Sequence, residues 1–234
     1  MVSIIIKNIS QSLPIHNHKR YHKRDLSAVR QIVIHHSATS SGTSLAFANF
    51  HINHHDWPGI GYHYVILKNG IVQETQKLTT VSYHVSSHNL KSIGICLVGD
   101  FTTHSPPLKQ YAAAVELVRY LQKDKPELAV FGHSECPGNS STRCPALNMH
   151  DFRGAVRQKA GSFAAKRPML QEGMRGEAVV SLQSLLRKAG FSPGQTDGIF
   201  GPKTSKAVRA YQYARKLAVD GIVGPLTWGE LQKP

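Results

Sequence analysis

All fourteen histidines of this 234-residue chain lie between His16 and His150, and none follows. One uniform domain would not sort its histidines this way, so two parts with different chemistry are expected, as the length permits. Between them, "KAGSFAAKRPM" at residues 159–169 is rich in small and basic residues and reads as a linker. The predicted division is a basic N-terminal arm over 1–29, a first domain over 30–158, a linker over 159–167 and a second domain over 168–234.

The first part alternates strand and helix patterns. "QIVIHH" is a β-branched run, and "SLAFANFHINHH" follows with helical spacing behind a Thr43/Ser44 cap. "YHYVILKNGIVQET" sets Asn69-Gly70 between two apolar runs, which predicts a hairpin. "SIGICLVG" and "LAVFGH" read as buried strands, and Pro106-Pro107 open a helix through "LKQYAAAVELVRYLQ". The expected fold class is α/β, a mixed central sheet flanked by helices.

The second part reads as a small all-α domain. Val179, Leu182, Leu185 and Leu186 form one stripe stopped by Gly190, and Pro202 opens a second helix. The pattern D-G-I-x-G-P-x-T occurs twice, starting at Asp197 and Asp220, and marks an internal repeat. With no histidine, no cysteine and few acids, this part is poorly equipped for catalysis and reads as a binding module.

Both parts are basic, giving a net charge of +14 and a pI near 9.9, so a polyanion or an anionic surface is the expected partner. Zinc-finger spacing, an arginine-rich stripe and an aromatic RNA-binding signature are all missing, and nucleic acid is not expected. No stretch approaches the ~20 apolar residues of a membrane span. The three cysteines, Cys96, Cys136 and Cys144, suit reduced thiols better than a disulfide framework. "MVSIIIKNISQSLP" lacks the apolar segment and cleavage site of an export signal, so synthesis in a cytoplasm is expected.

Histidines recur at strand ends: His35 and His36, His63, His84 and His133, with Cys136 and Cys144 in the loop after the last. Two such histidines and a loop cysteine would suit catalytic zinc, which takes three protein ligands and keeps a fourth position open. Ordinary surface and packing histidines are the competing reading. Adjacent strand residues point to opposite faces, so only one of His35 and His36 can face such a site, and periodicity does not say which.

The ordered motifs "IVIHHSAT", "GIGYHYVI", "SIGICLVGDF", "FGHSE" and "TRCP", over roughly residues 30–155, resemble the type 2 N-acetylmuramoyl-L-alanine amidase family of phage endolysins and peptidoglycan recognition proteins. "GMRGEAVVSLQSLLRKAGF", "TDGIFGPKT" and "VDGIVGPLTW" resemble a peptidoglycan-binding module. The resemblance implies one Zn²⁺ per chain held by His35, His133 and a cysteine before proline. Its Thr-x-Cys-Pro form favours Cys144 over Cys136. It further implies catalytic roles for Tyr62 and Thr142, substrate contacts at Trp57 and His84, and wall contacts at Asp197, Gly198, Asp220 and Gly221.

Some family members carry a glutamate where this chain has Cys96, so no carboxylate base is expected there and Cys96 reads as a core thiol. His36 and His63 are expected to back the metal ligands or to pack, His51, His54 and His55 to form a solvated helix face, and "HNHKRYHKR" to be a mobile basic arm.

The implied reaction is zinc-dependent hydrolysis of the amide between N-acetylmuramic acid and L-alanine in peptidoglycan. The implied setting is a monomeric phage-type lysin reaching the wall after holin-type release. A non-catalytic wall receptor on the same fold, or a bacterial remodelling or recycling amidase, is the alternative.

Overall fold

The computed structural model describes residues 4–102, 104–157 and 168–231, so the expected linker at 159–167 lies outside the described residues. They form two compact units, one ending at Met149 and one starting at His150.

The first unit is built on a six-stranded sheet: β1 Ile6–Asn8, β2 Gln31–His36, β3 Tyr64–Ile66, β4 Val72–Glu74, β5 Ser92–Leu97 and β6 Ala129–Gly132. The spatial order is β1-β4-β3-β5-β2-β6, with β3 and β4 paired antiparallel and the other neighbouring strands parallel. This is the expected mixed sheet. Parallel β5 and β6 flank β2, and all six β2 residues are buried. That explains why "QIVIHH" shows no polar alternation: a central parallel strand is covered on both faces. The hairpin turn forms at Asn69-Gly70, where Gly70 takes φ +86° and Ile71 N–H donates to Asn69 Oδ1 at 3.1 Å.

Two helices cover this sheet. Helix α1, Ser44–His55, starts at Thr43, whose Oγ1 accepts from Ala46 N–H at 3.1 Å. Helix α2, Leu108–Asp124, buries Tyr111, Ala114, Val115, Leu117, Val118 and Leu121 at helical spacing. Gln110 of α2 is fully buried and donates to Ile66 and Val98 carbonyls at 2.8 and 2.9 Å, closing the ends of β3 and β5.

The N-terminal segment is not the mobile arm that its charge suggested. Strand β1 extends the sheet by pairing with β4, and Tyr21 donates to the Ile60 carbonyl at 2.7 Å. Arg24 is only 7% exposed and donates to the carbonyls of Leu78, Asn89, Leu90 and Ser92 at 2.8–2.9 Å. Composition reads a run of charges as solvated. Here an open strand edge and a set of unpaired loop carbonyls draw the segment in, because buried backbone groups need partners.

The second unit begins within α3, Met149–Arg157, and continues with α4 Glu177–Lys188, α5 Pro202–Ala214 and α6 Pro225–Leu231. Val179, Leu182, Leu186, Val208, Tyr211 and Trp228 share its core. Pro202 sits at the start of α5 and Gly190, with φ +86°, follows α4, both as expected.

The two Asp-Gly loops are held in the same way. Gln183 of α4 donates to Asp197 Oδ1 at 3.0 Å and accepts from Gly198 N–H at 3.0 Å. Gln212 of α5 donates to Asp220 Oδ1 at 2.8 Å and accepts from Gly221 N–H at 2.9 Å. Both glutamines are 1% exposed, and both glycines need positive φ, +71° and +73°. The sequence repeat is therefore a repeat of loop construction. The signal missed in the sequence was a glutamine set within each apolar helix stripe.

Replacing Gln212 by leucine leaves Gly221 N–H and the Ile222 carbonyl without this partner. That is expected to destabilise the second unit by about 2–3 kcal/mol, read as a lower denaturant midpoint.

Candidate metal centre

Parallel strands β2, β5 and β6 end at one edge of the sheet, and the residues at those ends converge there. His35 is the penultimate residue of β2, and His133 directly follows β6. The loop after His133 returns to the sheet, with Ser134 N–H donating to the Cys144 carbonyl at 2.8 Å. Gly132 permits this approach, because a Cβ there would lie 2.8 Å from Pro145 Cδ and 2.9 Å from Met149 Cγ.

The result is a cluster of His35, His133 and Cys144 whose donor atoms all lie within 4.8 Å of one another. Cys144 Sγ is 3.7 Å from His35 Nδ1. Tetrahedral zinc with ordinary Zn–S and Zn–N bonds places two such donors about 3.6 Å apart. Burial, then the nearby His133 and His36, pushes His35 well below the usual histidine range, and burial also lowers His133. Both imidazoles are therefore neutral at pH 7, as ligation requires. Burial raises the Cys144 thiol to about 12, so a bound cation would have to displace its proton. The donor set fits a zinc ion.

His36 faces away from this cluster. Its Nδ1 accepts from Phe101 N–H at 3.1 Å, and its backbone N–H points at Cys144 Sγ, 3.4 Å away. Cys136 packs with Val33, Val85 and Phe131. Of the two cysteines before proline, Cys144 is the one beside the histidines.

Tyr62 is half-buried, with its ring 5.4 Å from that of His35. Burial, with the thiols of Cys96 and Cys144 nearby, holds its phenol well above the ordinary tyrosine value, so it stays protonated. Cys96 is fully buried, as expected, but it also lies against the Tyr62 hydroxyl, a neighbour the sequence did not reveal. The Thr142 hydroxyl accepts from Cys144 N–H at 3.2 Å and so shapes the cysteine turn.

Trp57 stands farther out. His51 links it to Tyr62 through ring separations of 4.8 and 5.5 Å, and His55 stacks on it at 4.7 Å. His51 does not belong to a solvated face. It is 7% exposed, and its Nδ1 accepts from Gly61 N–H at 3.0 Å, while His54 and His55 are exposed. His84 is buried beneath His35, with 3.0 Å between His84 Nδ1 and His35 Nε2.

His63 packs as expected: its Nδ1 accepts from Gly94 N–H at 3.0 Å, so Nε2 carries the proton and donates to the Thr80 carbonyl at 3.0 Å. The Arg24 guanidinium beside that same nitrogen is a second donor and forms no hydrogen bond with it. Burial and this cation lower His63 to about 3.

The family model for N-acetylmuramoyl-L-alanine amidase matches residues 25–146, more than half of the chain. The chain belongs to that amidase family. A peptidoglycan binding domain model matches residues 175–231, within the second unit. The endolysin of Enterobacteria phage K11 is 25% identical over 126 residues, 51% of this chain and 82% of that protein. A spore cortex-lytic enzyme of Halalkalibacterium halodurans is 36% identical over 91 residues, 39% of this chain and 28% of that protein. Other curated relatives are likewise matched over less than two thirds of their length. Among solved structures, the Ph2119 endolysin from a Thermus scotoductus bacteriophage is similar, with a TM-score of 0.55 and 25% identity over 65% of this chain and 99% of that one.

Stability of this amidase-family unit should fall in acid. The folded-state pKa of His51 is lowered to about 4 and that of His63 to about 3, below the unfolded value near 6.5. Their contribution is full above pH 6.5 and is lost as the pH falls toward the folded values, because the unfolded chain takes up protons first. His51→Asn keeps an acceptor for Gly61 N–H without titrating. It is expected to flatten the dependence of the denaturant midpoint between pH 7 and 5.

Proposed function

We propose that this chain is a zinc-dependent N-acetylmuramoyl-L-alanine amidase of the modular endolysin type, cleaving the bond between N-acetylmuramic acid and L-alanine in peptidoglycan. The observation that carries this reading is the convergence of His35, His133 and the buried Cys144, with donor atoms within 4.8 Å of one another, at the ends of the strands. When bound, zinc supplies a Lewis acid that polarises the amide carbonyl and acidifies water.

The residues around it have separable tasks. His35, His133 and Cys144 would hold the ion. Tyr62 keeps its proton and donates a hydrogen bond to the oxygen that gains charge as the carbonyl is attacked. Thr142 holds the turn that presents Cys144. Trp57 offers an apolar ring beside the site for substrate. Cys96 brings no carboxylate, so proton removal from the attacking water falls to another group.

The second unit retains the chain, acting as a monomer, on the wall and raises its effective concentration at the substrate. Asp197, Gly198, Asp220 and Gly221 contribute by shaping the loops that face the wall, because each aspartate is engaged by a glutamine. The basic surface favours encounter with a polymer bearing carboxylates and phosphates. Release through a holin-type lesion belongs to the same proposal, supported by the endolysin relatives.

The test is digestion of purified peptidoglycan, with products read by mass spectrometry and by new N-terminal alanine. Alanine should be released, and release should stop with a chelator and return with zinc. Wall binding without alanine release would leave the receptor reading in its place.

A further inference from the structure

We propose that His84 is the positioning residue that sets the proton and the orientation of His35 for metal binding. This rests on the metal reading above. His35 Nδ1 is the ring nitrogen facing Cys144, at 3.7 Å, and His35 Nε2 lies 3.0 Å from His84 Nδ1. A neutral imidazole has one N–H, so a His35 that offers Nδ1 to a cation must carry its proton on Nε2. Among the described residues that proton has one acceptor, His84 Nδ1. His84 must then carry its own proton on Nε2, an atom that is buried and makes no hydrogen bond among the described residues. If the proton of the bridge belonged to His84, His35 would be protonated on Nδ1 and closed to the ion. The direction of this one hydrogen bond thus selects the tautomer that can ligate.

His84 is held firmly enough for the task. It is 7% exposed, its backbone N–H and that of Val85 both donate to Asn89 Oδ1 at 2.9 Å, and its ring lies over Gly94. A Cβ at Gly94 would sit 2.6 Å from His84 Cγ, so the glycine of "SIGI" makes the space for the ring. The other histidine of the cluster has its own orienting partner, Asn139, whose Oδ1 lies 3.1 Å from His133 Nε2. Groups that receive the second N–H of a ligating histidine typically change metal affinity 10–100-fold.

The test compares His84→Asn with His84→Leu. The two replacements have the same shape, but only asparagine retains an acceptor near the Nδ1 position. Zinc affinity by chelator competition and the visible spectrum of the cobalt-loaded protein are the readouts. His84→Leu is expected to bind zinc 10–100-fold more weakly with a shifted cobalt spectrum, and His84→Asn to stay within a few-fold of the parent with its spectrum kept.

Parent-like binding and an unchanged cobalt spectrum in His84→Leu would overturn the proposal, as would equal losses in both variants, which would mean a packing role. Nitrogen NMR of the zinc-loaded parent reads the protons directly, whether or not the variants fold. A proton on His84 Nδ1 would overturn the proposal, and protons on Nε2 of both rings would support it. Cys144→Ala separates the parent reading. If it binds zinc as tightly as the unsubstituted chain, the His35–His133–Cys144 site itself is wrong.

Discussion

Replacing Cys144 by alanine is expected to weaken zinc binding roughly 10²–10³-fold and to abolish amide hydrolysis. Four-ligand zinc sites bind with about 10–16 kcal/mol, so one ligand accounts for ~2.5–4 kcal/mol. The matched control is Cys136→Ala, which removes a thiol packed among Val33, Val85 and Phe131 rather than beside the histidines. It is expected to cost about 1–2 kcal/mol of stability and leave metal content unchanged. Metal analysis and alanine release on the two purified variants check both halves. Loss of zinc in Cys136→Ala with retention in Cys144→Ala would reverse the assignment.

Replacing Arg24 by methionine is expected to destabilise the first unit by about 3–5 kcal/mol, a large share of the ~5–15 kcal/mol that holds a domain together. The aliphatic stem is kept, but the carbonyls of Leu78, Asn89, Leu90 and Ser92 lose a charged donor. The gain from no longer burying a guanidinium offsets part of this loss. The denaturant midpoint of the first unit checks the magnitude. A change under about 0.5 kcal/mol would mean that those carbonyls find water instead, as at ordinary surface positions. Because Arg24 also lies beside His63, the same variant removes one of the two influences that depress His63.

Legibility in the sequence followed the range of the forces involved. Thr43, Asn69-Gly70, Gly190 and Pro202 each act on the backbone within a few residues, and each ends or begins an element where expected. The family register selected His35 over His36 and favoured Cys144 over Cys136, and the structure places those two residues side by side.

The N-terminal segment departs from the expected arm because its place is set by β4 and by loops more than fifty residues away. His51 departs from the expected solvated face because the helical turn places it inward beside Gly61 while His54 and His55 stay outside. The pairing of Cys96 with Tyr62, and of His84 with His35, needs three strands in register before the side chains can meet.

By itself, then, the sequence determined the two-part organisation, the strand and helix types and the residue kinds able to bind a metal, because turns, caps and periodicity are local properties of the chain. Only the tertiary structure decided which of those residues meet. The parallel register of β2 with β5 and β6 brings strand ends that are far apart in the chain to one edge. Gly132 then lets the Cys144 turn close over them, and the buried, low-dielectric surroundings keep the imidazoles neutral and the phenol protonated.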